Sequence, residues 1–173
     1  NVNSFDAKDK VCVITGGSSG IGSALIEELL NRKAKKVINL DILEKHIKDV
    51  EFYNCDVGKE KDLKKVLSKI YKNFSNIDLF CCNAGIFVDD DALASPSHWE
   101  KVFRINVLQH TYIVRNSIKK MLTNKQGWFL MTASAAGLLS QVGSAAYSTT
   151  KHAVVGFSEW LAITYGEKGI GVS

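Results

Sequence analysis

Short apolar runs alternate with longer stretches of helical period along this chain. Val11-Cys12-Val13-Ile14-Thr15, Lys36-Val37-Ile38-Asn39-Leu40-Asp41, Glu51-Phe52-Tyr53-Asn54-Cys55, Asp78-Leu79-Phe80-Cys81-Cys82-Asn83 and Gly127-Trp128-Phe129-Leu130-Met131-Thr132 read as strands. Residues 20–33 read as a helix. In the next helix Leu63, Val66, Leu67, Ile70, Tyr71 and Phe74 recur at i, i+3, i+4, i+7, i+8 and i+11 with lysines opposite, which gives one apolar face. A long helix after Ser95-Pro96 carries the stripe Trp99, Val102, Phe103, Asn106, Val107, His110, Ile113, Val114, Ser117, Ile118 and Met121, with Ser95 or Ser97 as its cap. A small-residue loop over 133–144 leads to a last helix over 145–168, and residues 169–173 begin a sixth strand. This alternation predicts an α/β fold, a doubly wound parallel sheet in three αβα layers, formed as a single domain over residues 1–173.

Composition narrows the class of protein. Hydrophobic residues at 46% and charged residues at 23% are the balance of a globular chain, and no apolar run approaches the roughly 18 residues of a membrane span. The net charge of +4 comes mostly from lysines on helix surfaces, such as Lys64, Lys65, Lys69 and Lys72. The only arginines are Arg32, Arg104 and Arg115, so nucleic acid is not an expected partner. Cys12, Cys55, Cys81 and Cys82 lie in apolar runs without a CxxC pair or a histidine at ligand spacing, which argues against a metal site and against a disulfide framework. Buried free thiols fit a reducing compartment, and a cytoplasmic protein is expected. The chain opens Asn1-Val2-Asn3 without an initiator methionine or an apolar h-region, so a targeting signal is not legible there.

Candidate chemistry gathers at strand ends. Thr15-Gly16-Gly17-Ser18-Ser19-Gly20-Ile21-Gly22 follows a strand and opens a helix, the context of a dinucleotide-binding turn. Glycines there allow a tight turn, and the helix N-terminus offers N–H groups to a pyrophosphate. Such turns also occur without a ligand. Asp41 ends the second strand, where a carboxylate accepts both ribose hydroxyls and repels the 2′-phosphate of NADP, or merely caps a loop. Ile42 follows where an arginine would have favoured NADP. Asn83-Ala84-Gly85 is a commonplace turn that gains meaning from its place at a strand's carboxyl end. Asn106 sits on an apolar stripe and must find partners, either as a core asparagine tying a loop to the helix or as part of a site. His110, one turn on, reads as a satisfied or partly exposed core histidine. Tyr147 and Lys151 share a helix face at i and i+4, continued by Val154, Val155, Ser158, Leu161 and Ala162. An ammonium beside a phenol favours the phenolate, which suits a tyrosine to acid–base work near neutral pH. Ser134, at the end of the fifth strand, can hydrogen-bond a substrate oxygen.

Taken together, these residues resemble the short-chain dehydrogenase/reductase family, from about Lys8 to Ser173. The matching motifs are the TGxxxGxG turn at Thr15–Gly22, Asp56 in Cys55-Asp56-Val57, Asn83-Ala84-Gly85, Asn106, Ser134 and the YxxxK pair Tyr147 and Lys151. The resemblance implies a Rossmann fold and hydride transfer between NAD(H) and an alcohol or ketone, with NADP the less expected cofactor. Tyr147 would be the general acid–base, Lys151 its modulator and a ligand of the nicotinamide ribose, and Ser134 the residue that orients the substrate oxygen. Asn106 would hold a water linking Lys151 to solvent. Gly16, Ser18, Ser19, Gly20, Ile21 and Gly22 would hold the pyrophosphate, Asp41 and Ile42 would meet the adenosine ribose, and Asp56 and Val57 the adenine. Asn83, Ala84 and Gly85 would complete the cofactor floor.

Cys82 stands where the family usually has a first asparagine. Family chains also continue past the sixth strand into a substrate-covering segment and a further strand. The expectation is therefore either a fragment of a longer enzyme or a shortened protein that acts as a nucleotide-binding or interaction module. The extended-branch sugar-nucleotide epimerases usually show GxxGxxG spacing, unlike the turn here. Residues 86–94 and 138–144 should border the substrate, and Leu138, Leu139 and Val142 hint at an apolar one. By resemblance, the long helices starting near Pro96 and Ala145 would pair with a second subunit in a homodimer or homotetramer.

Overall fold

A computed structural model describes residues 4–173. The opening Asn1-Val2-Asn3, read above for a targeting signal, lies outside the described residues. Six parallel strands form one sheet in the order β3-β2-β1-β4-β5-β6. They are β1 (Val11–Thr15), β2 (Lys36–Asp41), β3 (Val50–Asn54), β4 (Leu79–Cys82), β5 (Gly127–Met131) and β6 (Ile170–Val172). The helices are α1 (Gly20–Asn31), α2 (Glu60–Asn73), α3 (Pro96–Phe103), α4 (Gln109–Asn124) and α5 (Ala145–Tyr165). This is the predicted doubly wound, three-layer α/β architecture.

Side chains alternate across each strand, so β1 supplies both cores. Val11 and Val13 join Ile38, Leu40, Phe80 and Phe129 under α2, α4 and α5. Cys12 and Ile14 point the other way, to Val37, Leu79, Cys81 and the α1 residues Ile26 and Leu29. Covering on both faces explains why these strands read as continuous apolar runs. All four cysteines are free and buried, as expected, and burial raises the thiol pKa of Cys55 and of Cys81 to about 12.

Several boundaries differ from the sequence reading. Helix α1 ends at Asn31, before Lys33 takes a positive φ of 60°. Helix α5 stops at Tyr165, and the expected last turn is a 3-10 turn over Gly166–Lys168. The expected continuous helix after Pro96 is interrupted by a π-turn over Arg104–Leu108. The Gln109 side-chain amide donates to Ile105 O, the carbonyl that an α-helix would give to the Gln109 backbone N–H. A side chain inserted in the ladder is one of the recognised causes of such a break. Ser95, not Ser97, caps α3, accepting from His98 N.

Phe80 and Phe129 stack at 5.9 Å between ring centroids and are both fully buried. Phe129→Ala is expected to lower unfolding free energy by about 3–5 kcal/mol in urea titration. A loss under about 1 kcal/mol would place this ring outside the packed core.

Candidate active site

Strand order reverses between β1 and β4, and the crevice at the carboxyl ends of the strands opens there. It forms a cleft of about 570 Å³, a size typical of small-molecule sites. Gly16, Ser19, Gly20 and Ile21 line it from the loop after β1, and Asp41 and Ile42 from the end of β2. Asp56 and Val57 enter after β3, Asn83, Ala84 and Gly85 after β4, and Ser134 after β5. Tyr147 and Lys151 of α5 complete it. Gly16 and Lys151, at opposite ends of the sequence, thus meet in one cleft, because the loops after the strands leave the same edge of the sheet.

Ser18, Gly22 and Asn106, also expected at the site, stand behind its wall. Ser18 donates its hydroxyl to Leu43 O (2.6 Å), accepts from Asn39 Nδ2 (3.1 Å), and gives its N–H to Asp41 Oδ2 (3.0 Å). Its role is thus to fix Asp41, whose other oxygen accepts from Leu43 N. At Gly22 a Cβ would lie 2.1 Å from Gly16 O, so only glycine lets the turn close on α1. Asn106 is fully buried; its Oδ1 accepts from Ile86 N (2.8 Å) and its Nδ2 donates to Ile86 O (2.9 Å) and Thr150 Oγ1 (3.2 Å). The asparagine ties a loop to the helix, one of the two readings open from the sequence.

The Tyr147 face of the cleft is rigidly built. Lys151 is only 4% exposed, and its ammonium donates to Thr132 O (2.9 Å) and lies 5.5 Å from the Tyr147 ring centroid. Burial lowers its pKa from the ordinary lysine value. Phe87 meets the Tyr147 ring edge-on at 5.1 Å. The Ser134 hydroxyl oxygen accepts from Ala136 N (3.1 Å), which leaves its O–H free to donate into the cleft. Further along α5 the expected apolar stripe is narrower than predicted, since Ala162 is exposed.

Asn39 and Gln109 were not singled out from the sequence, and Thr15 was named only as the first residue of the glycine motif. Asn39, fully buried in β2, accepts from Gly17 N (3.0 Å) and braces the glycine turn. Thr15 Oγ1 accepts from Asn83 N and Ala84 N, both at 3.0 Å, and donates to Gln109 Oε1 at 3.1 Å. Gln109 Nε2 also bonds Ala84 O. A polar residue inside an apolar strand was the available signal for Asn39, because a buried amide needs partners.

The comparisons follow this geometry. The short chain dehydrogenase family matches residues 10–173, and the chain belongs to that family of nicotinamide-dependent oxidoreductases. It is 30% identical to a 3-oxoacyl-acyl-carrier-protein reductase, FabG, of Buchnera aphidicola, covering 95% of this chain and 71% of that protein. An NAD-dependent glycerol dehydrogenase of Listeria innocua is also 30% identical, over 98% of this chain and 70% of its own. Among solved structures, the ligand-free aldohexose dehydrogenase of Thermoplasma acidophilum superposes with a TM-score of 0.89 at 27% identity, over 95% of this chain and 64% of that one. The chain therefore spans about two thirds of the length of these proteins.

His110 departs from the sequence expectation. It is 1% exposed, and neither ring nitrogen has a hydrogen-bond partner among the described residues. Burial, with the Lys151 charge second, pushes its pKa down from 6.5 to about 3. The unfolded chain takes up this proton below pH 6.5 and the folded chain only near pH 3, so stability falls as pH drops through that window. His110→Phe is expected to flatten that part of the stability–pH curve in urea unfolding. An unchanged slope would assign the acid sensitivity to other groups.

Proposed function

We propose that this chain carries the catalytic machinery of an NAD(H)-dependent alcohol dehydrogenase or carbonyl reductase, with Tyr147 as general acid–base. The observation that carries the reading is that Ser134, Tyr147 and Lys151 open on the same cleft as Asp41. An acid–base group and a ribose-binding carboxylate are thus presented to one elongated ligand.

The residues present fit a nicotinamide dinucleotide. Helix α1 begins without a side-chain cap and without an acidic residue in its first turn, whereas Ser95 and Ser144 cap α3 and α5. Its first N–H groups are left for an anion such as a pyrophosphate. Gly20, at φ +51°, has nothing within 4 Å of the position a Cβ would take, so the backbone can approach a phosphate closely. Toward the adenosine end the cleft presents the carboxylates of Asp41 and of Asp56, the latter paired with Lys59 at 3.1 Å. Among the described residues that line the cleft, Lys151, at the other end, is the one lysine or arginine. A 2′-phosphate at the adenosine ribose would meet the Asp41 carboxylate, which favours NAD over NADP.

When bound, the nicotinamide ring supplies or accepts the hydride. Ser134 donates its free O–H to the substrate oxygen. Tyr147 exchanges a proton with that same oxygen as the bond order at carbon changes. Lys151, held by Thr132 O and largely desolvated, stabilises negative charge on the phenol oxygen more strongly than a solvated ammonium would. Asn106 holds Ile86 and Thr150 in place behind the pair, and a water between it and Lys151 would return the proton to solvent. The names of the relatives span a 3-oxoacyl-acyl-carrier-protein, glycerol and an aldohexose, and what we take from them is their shared alcohol–carbonyl chemistry. Trp160 and Ile163, exposed on α5, give this reading a face for a second copy.

Tyr147→Phe is expected to lower carbonyl reduction by roughly 10²–10⁴-fold while leaving NADH affinity within about threefold. Retained turnover would remove the tyrosine from its role, and NADH binding without reduction of any carbonyl by the unsubstituted chain would favour a binding module. Asp41→Ala is expected to bring the NADH and NADPH dissociation constants closer together. An unchanged ratio would place selectivity elsewhere.

A further inference from the structure

The loop between β4 and α3 does more than border the cleft. Its Asp90 side chain, in the acidic run Asp89-Asp90-Asp91, is only 3% exposed. Asp90 Oδ1 accepts from Ala145 N at 2.5 Å and from Ala146 N at 3.3 Å. Oδ2 lies 2.6 Å from Nε2 of His98 on α3. The backbone joins in: Asp90 N donates to Gly143 O (2.9 Å), and Ser144 Oγ donates to Val88 O (2.8 Å). The same Ser144 oxygen accepts from Tyr147 N (3.3 Å).

Tyr147 is the third residue of α5, on the turn where a helix frays most readily because its first N–H groups have no helical acceptor. Here the N–H groups of Ala145, Ala146 and Tyr147 all have one, from Asp90 or Ser144. The loop is anchored at its other end by Asn106 through Ile86, and between the two anchors Phe87 packs against the Tyr147 ring. We propose that Asp90, oriented by His98, is a positioning residue that fixes the first turn of α5 and thereby the Tyr147 phenol in the cleft. This rests on the role of Tyr147 proposed above.

The chemistry of the clamp is consistent with its place. Desolvation by itself would raise the Asp90 pKa, but the hydrogen bonds from His98, Ala146 and Ala145 hold it below the ordinary value, so the acceptor is a carboxylate. A carboxylate at a helix N-terminus is also favoured by the helix dipole. Displacement of a reacting group by about 1 Å costs on the order of 10²-fold in rate, so a frayed first turn would act on turnover more than on cofactor binding.

The test compares the unsubstituted chain with Asp90→Ala, Asp90→Asn and His98→Ala by steady-state kinetics and amide hydrogen exchange. Asp90→Ala is expected to lower kcat by about 10–100-fold with the KM for NADH changed by less than about threefold. Exchange should accelerate at residues 145–147 and not in the sheet. Asp90→Asn, which keeps an acceptor for the two N–H groups, should restore most of both readouts, and His98→Ala should fall between. An undiminished kcat in Asp90→Ala overturns the proposal. A lowered kcat without faster exchange in the first turn, or with exchange faster throughout the chain and no rescue by Asn, overturns it as well. Absence of turnover in the unsubstituted chain counts against the proposed function, and the exchange readout then decides separately whether Asp90 holds the first turn.

Discussion

The Thr15 hydroxyl at the end of β1 is the junction on which the site is assembled. A hydroxyl offers one donor and two acceptor positions, and all three are used, by Asn83 N, Ala84 N and Gln109 Oε1. The first two bonds pin the loop after β4 against the loop after β1, where the strand order reverses. Asn83 Nδ2 reinforces the join by donating to Thr15 O and Gly16 O. Through Gln109 the junction also reaches Ile105 O and the π-turn, which turns Asn106 toward Ile86 and Thr150. Sheet edge, glycine turn and α5 are thus coupled by a few buried polar side chains. Buried polar groups left without partners are costly, so this network specifies one arrangement of the loops.

Charge divides the cleft. Asp41 and Asp56 stand toward the ends of β2 and β3, and Lys151 stands beneath Tyr147 on the far side of the switch point. Asp41 is itself oriented by Ser18 N and Leu43 N, so the carboxylate is preset and not merely solvated. Lys151 is preset by Thr132 O. Preorganised charge acts more strongly where it is desolvated, as it is at Lys151, than the same group does in water.

Much of this was legible in the sequence, for identifiable reasons. A parallel sheet buried on both faces writes itself as apolar runs, which located the five long strands and the beginning of the sixth. The glycine turn was legible because its backbone geometry excludes other residues, as the 2.1 Å approach at Gly22 illustrates. Tyr147 and Lys151 were legible from helical spacing. What escaped were side chains whose partners lie far away in sequence: Thr15 with Asn83, Asn39 with Gly17, Asp90 with α5. Periodicity carries no information on such pairs. The π-turn escaped because an apolar stripe continues across it, and the cause is a single glutamine amide in the helical ladder. Ser18 was expected at a pyrophosphate because of its motif, while its side chain turns inward to Leu43 O. Nothing in the acidic run Asp89-Asp90-Asp91 marks one carboxylate as buried, and only the fold shows that the loop returns to α5.

The central claim is that one cleft is built for a dinucleotide without a 2′-phosphate, with its reactive end at Tyr147. Parallel titrations of the chain with NADH and NADPH, followed by cofactor fluorescence, test it most directly. The account predicts saturable binding of NADH at lower concentration than NADPH. Binding of neither cofactor, or tighter binding of NADPH, would contradict it.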